Sequence, residues 1–172
     1  MSSLAKLRTA RAHALRVAAV LAFLPPLLTR LVIGQAYYQT GGGKIENFER
    51  TVGFFASLGI PMPEANAFFV SRLEFWGGLL LVVGLMTRLV AGLLSTTMVV
   101  ALATADRADF KAALAGSGES GLTDVTAFVY LLFLVWLVVF GPGRLSLDAV
   151  LASRLERGDA VPSPRAAPHA GP

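Results

Sequence analysis

The stretch SRLEFWGGLLLVVGLMTR, residues 71–88, decides how the chain is read. From Phe75 to Met86 it is a run of apolar residues and glycines with no charge and no strict alternation. It is too continuous for a half-buried strand and suits a membrane helix. Yet Glu74 opens the run and Arg72 lies two positions earlier. A charged side chain near the middle of a bilayer costs about 2.5–3.5 kcal/mol, so it turns inward and seeks a partner.

The whole chain has the same character. Of 172 residues, 55 % are hydrophobic and 15 % charged, and the mean hydropathy is +0.64. So few charged residues cannot coat a soluble domain. Four apolar segments recur, at roughly 14–39, 66–86, 89–105 and 124–141. Each approximates the length that crosses a hydrocarbon core. The fold class expected is all-α: a polytopic four-transmembrane-helix bundle over 1–141 with a basic N-terminal segment. A cytoplasmic segment, 142–157, follows it, and then a disordered, proline-rich tail, 158–172. The first segment reads as a retained helix kinked at Pro25 and Pro26. The alternative is a separate interfacial helix at 5–24, with a short span following it.

Between the first two spans, GGGKIENFERTVGFFASLGIPMP opens on three glycines. Ile45, Phe48, Val52, Phe55 and Leu58 then recur at helical spacing before Gly59 and Pro61. This predicts a short amphipathic helix, either on the membrane surface or packed on the bundle. The glycine- and serine-rich loop 106–123 reads as mobile. Basic residues set the orientation. With both termini cytoplasmic, Lys6, Arg8, Arg11, Arg16, Arg88, Arg144, Arg154, Arg157 and Arg165 fall inside, and only Lys44, Arg50, Arg107 and Lys111 outside. The compartment expected is a bacterial inner membrane. No aromatic-studded basic face points to nucleic acid.

There is no cysteine, and the two histidines, His13 and His169, lie near the termini. A haem or zinc site in the apolar body would lack its commonest ligands. No metal site and no intrinsic cofactor are expected, and no nucleophile–base–orienter set names a catalytic residue.

Depth suggests a partner for Glu74. Arg30 lies nine residues before Gln39, and Glu74 eight after Asn66, about 13.5 and 12 Å from the outer helix ends. An Arg30–Glu74 ion pair is therefore expected. Thr97 and Tyr130 fall at similar depth, with Tyr37 or Tyr38 above, giving one polar layer. Gly34, Gly77 and Gly78 would let the helices approach closely. The pair reads either as a structural clamp or as a proton- or ligand-handling site. Arg72 is shallower and snorkels, and Arg88 anchors topology.

The pieces RLVIG (30–34), GGK (42–44), FFASLGIP (54–61) and LEFWGGLLLVVGLMTR (73–88) together resemble the DoxX family of small bacterial membrane proteins. The resemblance covers about residues 27–141; the proline pair and the long basic N-terminus depart from it. It implies a four-helix bundle with a surface helix after the first span. It also implies association with membrane redox enzymes. The function expected is thus an accessory or quinone-interacting subunit of a membrane redox complex. Its partners would be lipid, redox-enzyme subunits and further copies of the chain. Tyr37, Tyr38, Phe75 and Trp76 are candidates to line a quinone slot. The alternative is a small transporter or channel built on the Arg30–Glu74 layer.

Overall fold

The structure, a computed structural model, describes residues 3–117 and 121–158. The tail predicted from the proline-rich end, and the centre of the glycine- and serine-rich loop, lie outside the described residues. Every regular element within them is helical. In chain order these are α1 (Ser3–Leu21), α2 (Leu24–Glu46), α3 (Phe48–Ser57), α4 (Pro63–Val83), α5 (Thr87–Ala103) and α6 (Arg107–Ala115). A single 3-10 turn, Leu122–Asp124, then precedes α7 (Thr126–Phe140) and α8 (Leu147–Gly158).

The first apolar stretch, Ala10–Glu46, is one span candidate interrupted by a short turn just before the prolines. The chain turns at Ala22 and Phe23, and Pro25 and Pro26 fall in the first turn of α2, where a missing N–H costs nothing. The helix that follows is not short, because it runs on to Glu46. The three glycines that read as the opening of a loop lie inside it. The first of them, Gly41, holds α2 there by its lack of a side chain. A Cβ on Gly41 would sit 2.7 Å from the Phe75 Cα, and one on Gly78 would sit 2.6 Å from the Gly34 carbonyl oxygen. Gly34, Gly41 and Gly78 thus line a close α2–α4 crossing, which repays the helix-breaking tendency of glycine. Gly77 faces the other way, toward Val90 and Leu94 of α5.

At the far end of α4, Gly84 (φ +72°) stops the helix: its N–H and that of Leu85 both return to the Leu80 carbonyl. Only residues 84–86 separate α4 from α5, so these two are antiparallel neighbours. α2 packs along α4 and α5 along α7, and α4–α5 and α2–α7 contacts join the pairs into one bundle. Ile33, Tyr37, Leu81, Leu94, Leu134 and Leu137 fill its centre. Leu28, Val32, Phe69, Trp76, Val99, Leu132 and Val139 are exposed on its outside. Apolar both inside and out, the bundle is made for lipid.

Two helices, α4 and the one that includes α2, are long and apolar enough to cross a membrane. A third candidate is the α5–α6 pair, bent by 79°, and α7 is a shorter apolar helix. α3 is a separate helix whose buried face is Thr51 and Phe55, with Glu49 and Arg50 exposed. It begins at Phe48, so Ile45 belongs to α2 instead.

Candidate functional site

Glu74 sits midway along α4 and is only 2 % exposed. Its partner is Lys44, not Arg30. The Lys44 Nζ donates to both carboxylate oxygens, at 2.5 and 2.6 Å, and the Thr40 hydroxyl adds a bond at 3.3 Å. Lys44, in the last turn of α2, reaches back toward Glu74 with its side chain one-third exposed. Thr51 of α3 bonds the Asn47 carbonyl at 3.1 Å and the Lys44 carbonyl at 3.4 Å, so α3 holds the end of α2 in place.

Arg30 lies away from Glu74, at the α4–α5 turn, only 1 % exposed. Its Nη2 donates to the Leu145 carbonyl, and the guanidinium lies over Gly84, where a Cβ would collide with it. Gly84 is ten residues from Glu74, about 15 Å along α4. The expected Arg30–Glu74 pair is therefore replaced by two polar centres. The physical reason is register. The end of α2 is set at Glu46 rather than Gln39, so each α2 residue lies seven positions deeper than the span limits implied. Lys44 stands about four turns beyond Arg30 on nearly the same face of α2. That spacing was a signal in the sequence, masked by reading GGGK as loop.

The other members of the expected layer divide. Tyr37 is buried, with its ring 5.7 Å from that of Tyr130. The Thr97 hydroxyl donates to the Leu94 carbonyl, and its side chain borders the same pocket as Glu74. Tyr38 is 43 % exposed and stacks outward on Phe75, which in turn meets Trp76 edge-on. Tyr37, Tyr38, Phe75 and Trp76 do not line the pocket beside Glu74. Arg72 covers the ring of Phe68 at 3.4 Å, and Arg88 donates to the Val139 carbonyl near the end of α7.

That pocket is the feature the sequence did not disclose. It holds about 240 Å³ between α3, α4 and α5. Lys44, Glu74, Asn66, Thr96, Thr97 and Thr104 are its polar lining, and Phe54, Phe55 and Phe69 are among its walls. Phe55 is buried, whereas Phe54 and Phe69 are exposed, so the chamber has an exposed apolar rim. Lys44 and Phe54 also border a shallower polar recess with Thr40, Asn47 and Arg50. The ion pair thus divides an apolar chamber from a polar surface. Three of the chamber's residues, Phe54, Phe55 and Leu58, come from α3 or its end, a helix visible in the sequence but not as part of a site. Among the described residues no group of three His, Cys, Asp or Glu could hold a metal ion.

Comparison with known proteins bears on the same region. The DoxX family model matches residues 26–107, which include most of α2, all of α3 to α5 and both members of the ion pair. A Bacillus subtilis (strain 168) protein named "Putative oxidoreductase CatD" is 31 % identical over 135 residues, which is 77 % of this chain and 91 % of that protein. No solved structure matches the chain.

Proposed function

This chain belongs to the DoxX family, and from that premise we propose that it holds a quinone-class ring compound beside Lys44 and Glu74, as the accessory subunit of a membrane redox complex. In this reading α2, α4, the α5–α6 pair and α7 are the four spans of a bacterial inner-membrane protein. Both termini are cytoplasmic, as the basic residues favour, and α3 lies at the outer surface.

The observation that carries the reading is a buried carboxylate paired with a partly exposed ammonium beside a mostly apolar chamber. An apolar cavity of about 150 Å³ accommodates benzene, so 240 Å³ admits one substituted ring. Two bonds of the Lys44 ammonium go to Glu74, which leaves its third N–H for a ring carbonyl oxygen. The Glu74 carboxylate keeps lone pairs for a ring hydroxyl. Phe54, Phe55 and Phe69 offer flat apolar faces, and the exposed rim gives an isoprenoid tail a way out to lipid. A bound quinone supplies two-electron, two-proton chemistry. The chain's own residues orient the ring, keep water from it and hold protons within reach of its oxygens. The electrons belong to a partner subunit; the name of the CatD relative, an oxidoreductase, is in keeping with such a setting.

The transporter reading depended on one Arg30–Glu74 layer. With Arg30 and Glu74 bound to different partners in separate polar centres, no observation favours it. The test is to purify the protein in lipid nanodiscs, extract it with solvent and measure quinone per chain. Near-stoichiometric quinone is expected, and Ala101→Phe, which narrows the chamber, should lose most of it while the helical spectrum is unchanged. A folded protein that carries no quinone, and that an azidoquinone does not label near Phe55, overturns the reading.

A further inference from the structure

The bundle's other end bears an element that the pocket does not use. α7 ends at Phe140, and after a turn α8 begins at Leu147. That turn is fastened to the ends of the helices around it. Arg30 donates to the Leu145 carbonyl, and Gly143 packs so closely on Pro26 that a Cβ there would lie 2.6 Å from the ring. The Asp148 carboxylate accepts the Met86 and Thr87 N–H groups at 2.7 and 2.9 Å, capping α5. The Asp148 N–H donates to the Gly84 carbonyl at 3.0 Å. The first turn of α8 is therefore held level with the α4–α5 turn, where the membrane helices end.

Beyond that turn α8 leaves the bundle. Leu145, Leu147, Val150, Leu151 and Leu155 are all exposed, from 45 to 70 %. The four within α8 share one side of the helix, and Ser153 is on the other. Arg144 and Arg154 are exposed beside the apolar side chains. Asp148, the acidic residue of the first turn, is turned inward onto N–H groups. Water is a poor partner for that face. It is continuous, through Leu145 and Phe140, with the apolar outside of the bundle.

We propose that α8 is an interfacial helix: its leucine–valine face is embedded at the membrane surface, and Arg144 and Arg154 bind the phosphates of anionic phospholipids. The Asp148 cap sets the depth at which the helix meets the headgroups. Leucine faces flanked by arginines bind such surfaces through apolar burial and charge attraction together. A long arginine within an apolar arc extends its charge to the headgroups.

Because the chain has no cysteine, single labels are clean. Full-length Leu151→Cys and Ser153→Cys carry an environment-sensitive fluorophore in nanodiscs of phosphatidylcholine alone or with phosphatidylglycerol. In anionic discs the label at 151 should be shielded from an aqueous quencher and the label at 153 open to it. Adding Arg154→Gln to the Leu151→Cys protein should lower the inserted-to-free ratio about fivefold in anionic discs, the worth of one arginine at such a surface, and change little in neutral ones. Equal quenching at 151 and 153 in anionic discs overturns the proposal. So does shielding that ignores lipid charge, or shielding that appears only when a soluble extract is added, which would assign the face to a protein. None of these outcomes depends on whether the pocket holds quinone.

Discussion

Lys44→Met should be more damaging than Glu74→Gln, although both break the same ion pair. The asymmetry follows from burial. Glu74 is 2 % exposed and Lys44 32 %. Removing the partner of a fully buried charge costs about 3–5 kcal/mol. Here the Lys44 side of the pair is partly wet, so water recovers some of that, and about 2–3 kcal/mol is expected. Glu74→Gln keeps the shape and the bond from Thr40. The lysine it strands is already near solvent, so the loss should be about 1 kcal/mol. Combining the two substitutions, Lys44→Met with Glu74→Gln, removes both charges at once and should lie within about 1 kcal/mol of the natural protein. The three variants form a double-mutant cycle with a coupling of about 2 kcal/mol. SDS titration in mixed micelles, followed by the fluorescence of Trp76 and Trp136, measures each step. If Lys44→Met changes stability by less than about 0.5 kcal/mol, or if the two single losses simply add in the double variant, the pair does not hold α2 against α4 and the reasoning fails.

Other substitutions probe the packing that sets this register. Gly78→Ala drives a Cβ into the backbone of α2 and should cost about 1–3 kcal/mol in the same titration, with looser α2–α4 crosslinking. Gly43→Ala lies in the same helix with nothing within 4 Å of the new Cβ, so it should stabilise by about 0.4–1 kcal/mol through the unfolded chain. Asp148→Ala takes the cap from the Met86 and Thr87 N–H groups. It should cost about 0.5–2 kcal/mol and make the segment after Phe140 more readily cut in limited proteolysis. Phe55→Ala enlarges the apolar chamber without touching the ion pair; bound ring compound should fall while Lys44 and Glu74 still couple in the cycle above.

Much of the architecture was legible because lipid makes strict demands. Long runs such as Leu79–Val83 and Leu131–Val139 can satisfy their backbone only as helices, and helices are what form. That a short helix follows the first span could be read from the spacing of Phe48, Val52 and Phe55, but its buried side is Thr51 and Phe55, which that spacing gave only in part. The end of α2 could not be read. A Gly-Gly-Gly run is a poor helix by intrinsic preference, and only the backbone of Phe75 lying against Gly41 makes helix the better state. The chamber was equally hidden, since its walls come from α3, α4 and α5, and no local spacing records that they meet.

By itself the sequence determined that this is a helical, lipid-suited chain without cysteine, and that Glu74, set in an oily helix, must be neutralised by a neighbour. The cost of burying a carboxylate is local and does not wait for the fold. Which neighbour answers was decided only in three dimensions. The glycine contacts slide α2 along α4 until Lys44 reaches Glu74 and Arg30 is carried to Gly84. Helix register is a property of two surfaces meeting, and neither strand of sequence holds it alone.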